Sequence, residues 1–349
     1  MRKKISLVIL TLLLCSCLFS SGTKEKVSLQ STTLFKDSLS REVLIPEEIY
    51  SIAPSGNVAQ MALYAIAPES LAGWSSKLNT EAKSQFLSQV KDKPVFGTFY
   101  GKKANLNLEA LMSSGAQLVL DVGQIKGEKE VMIAELDDLM EKIAMPVLFL
   151  SGELDDYPIL FESLGKLTGK EEKADALRQY AEQALEYASW LNDNHNKSVS
   201  VYYSPSDDRL EAVERGSSHS ELLELVGAVN VVPETFSEAN GQISLESLYS
   251  LDPDVILLSS KEAYEMVRQS DAWAPLRAVK ENRVYLIPSS PYPLIDRPTS
   301  TQRLLGIYYL GRVLFDESPM LIEKTKEFYS LFYHIELKDT DIPKLLNIT

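Results

Sequence analysis

The chain lacks most of the residues on which catalysis, disulfide scaffolds and nucleic-acid binding depend. Of its 349 residues only Cys15 and Cys17 are cysteines. The body beyond residue 17 therefore has no thiol for a disulfide, a cysteine-zinc site or a cysteine nucleophile. Its three histidines, His195, His219 and His334, are widely separated, and no His-Glu-x-x-His pair, Gly-x-Ser-x-Gly elbow, Walker A loop or Gly-x-Gly-x-x-Gly fingerprint occurs. Positive charge is scarce: 35 Lys and Arg face 49 Asp and Glu, giving a net charge of −14. Without clustered Lys and Arg to track a phosphate backbone, nucleic-acid binding is excluded. No apolar run reaches the ~20 residues of a membrane span. The adjacent acids Asp155-Asp156 and Asp207-Asp208 read as solvated turn residues rather than metal ligands. No reaction and no cofactor are expected.

What is present begins with the leader. Basic Arg2, Lys3 and Lys4 precede a short apolar run from Ile5 to Leu14, followed by Cys15-Ser16-Cys17. This looks like a bacterial lipoprotein signal, with Cys17 after small Ser16 as the lipid-bearing residue and Cys15, after bulky Leu14, as the competing acceptor. The expectation is a signal and lipidation region over 1–22, a flexible tether over 23–42, and a soluble, monomeric body held outside the cytoplasmic membrane by its lipid.

Along the body, short apolar runs recur at 49–53, 94–96, 118–122 and 147–150, then at 199–203, 229–232, 255–259 and 284–288. Being continuous rather than alternating, they suit parallel strands buried on both faces. Segments with helical spacing separate them (57–67, 106–113, 128–143, 218–225 and 245–249), so an α/β fold with parallel sheets is expected twice over. Residues 171–194 contain no Gly or Pro and place Ala174, Leu177, Ala181, Ala184, Ala188 and Leu191 at steps of three and four. That is one long helix with a narrow apolar stripe, either a connector between two lobes or a helix packed on one of them. The expected lobes are 43–158 and 195–349, with 159–194 between them.

An internal echo favours two lobes. Asn107-Leu108-Glu109-Ala110-Leu111 before Leu118-Val119-Leu120 resembles Ser244-Leu245-Glu246-Ser247-Leu248 before Val255-Ile256-Leu257, with an offset of 245 − 108 = 137 residues. In each copy a polar residue can cap a helix that opens on a carboxylate, a placement the helix dipole favours.

Several segments resemble the substrate-binding lipoproteins of ABC importers for iron complexes, haem and cobalamin. They are Ile52-Ala53-Pro54-Ser55, the two Leu-Glu segments, Glu221-Leu222-Leu223-Glu224-Leu225-Val226-Gly227-Ala228-Val229-Asn230, and Pro298-Thr299-Ser300-Thr301-Gln302-Arg303-Leu304-Leu305-Gly306. The likeness covers residues 43–349, and Ala228 and Ala116-Gln117 depart from the family pattern. The resemblance implies two Rossmann-like lobes joined by a single long helix, a ligand between them, and Glu109 and Glu246 as the residues that dock on the permease subunits.

Loops at the carboxyl ends of parallel strands are where ligands of such folds gather. They offer Ser55, Asn57, Tyr100, Tyr203, Arg215, His219, Tyr292 and Arg297, with Trp74 as a further ring. Aromatic area combined with a few cations suits a bulky, anionic metal chelate, and His219 would meet metal only through such a bound chelate. The expected ligand is an iron complex, siderophore-like or haem. A corrinoid, another metal species or an oxyanion such as molybdate is the alternative, and an envelope lipoprotein without a transport role is the rival from another class.

Overall fold

The computed structural model describes residues 31–99, 104–125, 127–235, 241–317 and 320–348, so the assignments for Cys17 and Tyr100 lie outside the described residues. The described body opens with an antiparallel hairpin, β1 (Thr32–Lys36) and β2 (Glu42–Pro46). Most of the segment expected as flexible tether from Thr32 onward is therefore ordered structure. Asp37 closes the turn by accepting from the Leu39 and Arg41 amides, both at 3.0 Å. Arg41, nearly buried, pairs with Asp37 at 2.8 Å and Asp137 at 2.9 Å, and donates to the Val147 carbonyl. Val43 and Ile45 are buried between exposed neighbours, the period of a half-buried strand.

The first lobe follows: β3 (Ile52–Pro54), α1 (Asn57–Ile66), α2 (Thr80–Gln85), α3 (Leu108–Ser113), β4 (Leu118–Gly123), α4 (Lys129–Ile143), β5 (Val147–Ser151) and α5 (Tyr157–Thr168). Its sheet is parallel, in the order β3-β4-β5. The run 94–96, expected as a strand, joins no sheet. Val95 makes a single bridge with Trp74, because Pro94 brings no amide to a ladder.

Helix α6 (Glu171–His195) leads to the second lobe: β6 (Ser200–Ser204), α7 (Glu221–Leu225), β7 (Val229–Asn230), α8 (Leu245–Leu251), β8 (Val255–Leu258), α9 (Lys261–Gln269), α10 (Arg277–Lys280), β9 (Val284–Leu286) and α11 (Arg303–Phe315). Its sheet is parallel in the order β7-β6-β8-β9. The unbroken apolar strands serve two faces. Val201, Tyr203 and Leu257 join the core that both lobes share, whereas Tyr202, Ile256 and Leu258 face a separate outer cluster.

Helix α6 has 25 residues, roughly 37 Å at 1.5 Å per residue. Its stripe of Ala174, Leu177, Ala181, Ala184, Ala188 and Leu191 is buried together with Tyr180. It packs on α5 of the first lobe and on α11 of the second, so the helix both connects the lobes and belongs to their common core. Small residues allow the close approach: a Cβ at Gly165 of α5 would stand 2.5 Å from that of Ala174.

The C-terminal helices α12 (Leu321–Phe328) and α13 (Ile342–Leu345), with a π-helical turn at Tyr329–Tyr333 between them, follow the second lobe in sequence. In space they also reach the first. Tyr64 Oη donates to the Tyr333 carbonyl at 3.2 Å, His334 Nε2 donates to the Tyr64 carbonyl at 3.0 Å, and Phe332 meets Phe161 edge-on. At one end of the inter-lobe cleft, Asn79 Nδ2 donates to the Pro291 carbonyl at 3.4 Å and Gln85 Nε2 to Ser290 Oγ.

An uninterrupted α6 resists bending, since a kink breaks the hydrogen-bond ladder and usually needs Pro or Gly. Lobe movement on ligand binding is expected to be small. Small-angle scattering with and without ligand checks this: the radius of gyration stays nearly constant, and a clamshell-scale decrease would refute it.

Candidate functional site

Between the lobes lies a cleft of about 550 Å³. The first lobe contributes Asn57, Ser76, Lys77 and Asn79, and the second His219, Tyr292, Arg297 and Thr299. Four of the residues expected from sequence (Asn57, His219, Tyr292 and Arg297) therefore meet at one place.

Asn57 opens α1 directly after the β3 loop, at the carboxyl edge of the sheet. Its Oδ1 accepts from Ser76 Oγ at 2.7 Å and Gln60 Nε2 at 3.2 Å, and Gln60 in turn accepts from the Ser75 amide. This network fixes the carboxamide and leaves its Nδ2 donors with no partner among the described residues.

On the facing lobe, His219 Nδ1 lies 2.7 Å from Oδ1 of Asp296, whose side chain is fully buried. With Nδ1–H donating to this carboxylate oxygen, Nε2 is the nitrogen left with a lone pair in the neutral ring. The ring is half-exposed at the cleft wall, and Nε2 has no partner among the described residues. A second nitrogen held by a buried carboxylate is the arrangement that orients a metal-ligating imidazole.

Arg297 is anchored by an ion pair with Glu211, and its Nε lies 3.9 Å from the other Asp296 oxygen. Burial alone would lower its pKa, but the Glu211 hydrogen bond and charge outweigh this and raise it. Its backbone is left-handed, φ 54°, uncommon for a long side chain and held here by neighbours on both sides. Tyr292 tilts against Phe86 of the first lobe at 6.2 Å, and burial pushes its hydroxyl up to about 12, keeping it neutral.

Beneath the cleft, Arg303 is almost completely buried and pairs with Glu221 at 2.5 Å, tying α11 to α7. A side chain at Gly306 would strike the Leu294 carbonyl of the cleft loop, so that glycine is needed for the close approach. Both features give structural reasons for the Arg303-Leu304-Leu305-Gly306 run.

Three expected contacts have structural roles instead. Trp74 is 1% exposed, stacks on Phe86 at 5.7 Å and donates Nε1–H to the Val90 carbonyl, so it belongs to the core. Tyr203 is fully buried on β6 beside Ser259 Oγ. Arg215 grips the Asn230 carbonyl through Nε and Nη2 at 3.1 and 2.7 Å. Ser55 is buried and donates to Asp121, lining a smaller hollow of about 260 Å³ at the end of the first sheet. Sequence reasoning missed Lys77 and Asn79. Trp74 pointed to the right loop, but it is the residues that follow, Ser76 and Lys77, that line the cleft.

Glu109 and Glu246 are each the second residue of a helix, and both are exposed. Capping is done by Asn107, which accepts from the Ala110 amide, and Ser244, which accepts from the Ser247 amide, each at 3.0 Å. Neither glutamate side chain has a hydrogen-bond or ion-pair partner among the described residues.

The family described as "Periplasmic binding protein" matches residues 62–291. The chain belongs to the periplasmic binding protein family. Within it, this is an ABC-transporter substrate-binding protein. An ABC transporter solute-binding protein from Sulfurospirillum deleyianum has the same fold at a TM-score of 0.80 and 27% identity, covering 90% of this chain and 99% of that one. The molybdate-binding protein MolA of Haemophilus influenzae is 23% identical over 93% of this chain and 97% of its own. The Fe(3+)-citrate-binding protein YfmC of Bacillus subtilis is 21% identical over 80% of this chain and 88% of its own.

Because Trp74 is a core residue of this periplasmic binding protein, Trp74→Ala is expected to cost ~3–5 kcal/mol. Denaturant unfolding monitored by circular dichroism measures it, and a loss below ~1 kcal/mol would return the ring to a surface role.

Proposed function

We propose that the protein captures an anionic iron chelate between its lobes and delivers it to a membrane permease. The observation that carries this reading is the cleft itself, lined by Lys77 from one lobe and by Arg297 and the half-exposed His219 ring from the other. The cations attract carboxylates or other anionic groups of the chelator, and His219 completes the coordination of a metal with an open position. A space of about 550 Å³ exceeds what a bare tetrahedral oxyanion fills, and the polar groups of Asn57, Ser76, Lys77, Asn79, His219 and Arg297 in its lining suit a siderophore-like or carboxylate chelate. Similarity to the molybdate-binding MolA keeps the oxyanion as the second reading. The leader supports lipidation at Cys17 and an extracytoplasmic location.

A thermal-shift panel of ferric citrate, a ferric hydroxamate, haem, cyanocobalamin and molybdate tests the ligand class. A binder present at 100 times its Kd stabilises the fold by ~2.7 kcal/mol. The ferric chelates are expected to shift the transition, and Arg297→Ala or His219→Ala to weaken their binding by ~1–3 kcal/mol, measured against each variant's own unliganded transition, which His219→Ala lowers by leaving Asp296 without its hydrogen bond. A shift with molybdate alone would overturn the iron reading.

Docking on the permease is assigned to Glu109 and Glu246. Equivalent exposed carboxylates on the two lobes match a partner with twofold symmetry, and charges of this kind steer association and fix register. Glu109→Arg combined with Glu246→Arg is expected to abolish cellular uptake of the chelate while the purified protein binds it normally. Wild-type uptake in the double variant would remove the docking role.

A further inference from the structure

We propose that Met112 and Tyr249 are the apolar halves of two equivalent docking knobs that seat in recesses of the two permease subunits. The inference rests on the docking role of Glu109 and Glu246. Each residue lies three positions after its glutamate on the same helix, and the two pairs share one offset: 246 − 109 = 137 and 249 − 112 = 137. Positions i and i+3 share a helix face, so each lobe presents a carboxylate and a large apolar group side by side. Met112 is 56% exposed and Tyr249 38%. The tyrosine ring is held in place by its hydroxyl, which donates to the Ala272 carbonyl.

Topology places both knobs alike. Helix α3 leads into parallel strand β4 and α8 into parallel strand β8, so the helices run antiparallel to their strands. Their N-terminal turns therefore lie toward the carboxyl edges of the two sheets, the side where ligand loops gather. Single exposed hydrophobic residues are ordinary. A large, partly exposed apolar residue beside an unpaired carboxylate recurs at equivalent places in the two lobes. Helix capping is already supplied by Asn107 and Ser244. The partner that fits is a twofold membrane protein whose subunits each carry a cationic group next to an apolar recess. There the charges would orient the complex and the buried apolar groups would supply the affinity that survives salt.

The test uses the full-length protein and the transporter's permease–ATPase complex in nanodiscs, with half-maximal stimulation of ATP hydrolysis read at about 0.1 and 0.5 M NaCl, a range over which exposed charges become strongly screened. Met112→Ser with Tyr249→Ser is expected to raise the half-maximal concentration about tenfold at both salt levels. Glu109→Gln with Glu246→Gln raises it mainly at low salt. Tyr249→Phe, which keeps the ring but loses the bond to Ala272, docks like the wild type. A wild-type curve for the serine pair overturns this inference alone if the glutamine pair is impaired, and overturns the docking reading as well if it is not. A loss in Tyr249→Phe equal to that of Tyr249→Ser would make the residue a support of its own loop.

Discussion

The structure depends above all on the contact between α6 and the helices that flank it. A stripe of four alanines and two leucines lets one unbroken helix lie against α5 on one lobe and α11 on the other. Burying Leu177 and Leu191 stabilises the fold by ~1.5–3 kcal/mol each, and the alanines permit the close approach that brings dispersion contacts along the whole interface. Because the same stripe serves both lobes, Ile52, Leu177 and Leu257 belong to a single continuous core. The lobes are separate sheets but not independent bodies. The C-terminal helices reinforce this through the Tyr64–Tyr333 and His334–Tyr64 hydrogen bonds.

A cleft built on such a frame is held open by its scaffold. Its polar groups can therefore be organised before the ligand arrives, which reduces the ordering cost of binding. Asp296 shows how. A fully buried carboxylate needs partners: Oδ1 has His219, whereas Oδ2 has no hydrogen-bond partner among the described residues and only the charge of Arg297 3.9 Å away. His219 is oriented by this carboxylate, and Arg297 by its ion pair with Glu211. On the opposite wall, Gln60 and Ser76 do the same for Asn57. The ligand meets side chains whose positions are consequences of folding.

The acidic balance of the chain and the composition of the cleft are consistent with this division of labour. With a net charge of −14, the protein as a whole does not attract anions. The cleft places Lys77 and Arg297 locally, where their charge acts at short range and is less screened than on the open surface. Exposed, unpaired Glu109 and Glu246 sit instead on helix starts whose caps are already satisfied, so folding draws on them only through the helix dipole.

Much of the architecture was legible in the amino-acid order, because strands buried on both faces must be continuously apolar and a helix lying on two neighbours must carry a stripe. The runs at 118–122 and 255–259 became β4 and β8 within a residue, and the alanine spacing marked α6. The cleft residues were partly legible, since Asn57, His219, Tyr292 and Arg297 occupy loops that follow strands or flank helices. Local sequence carries no record of which groups meet across the fold. Asp296 lies 77 residues from His219, and only the tertiary structure decided that it would hold that ring. Likewise Trp74 and Tyr203 read as ligand-contacting rings, yet packing around Phe86 and within β6 buried them. Period and capping are local properties that the sequence states directly. Burial, pairing and the meeting of Lys77 and Arg297 in one cleft are long-range, settled only when the two sheets are brought together on α6.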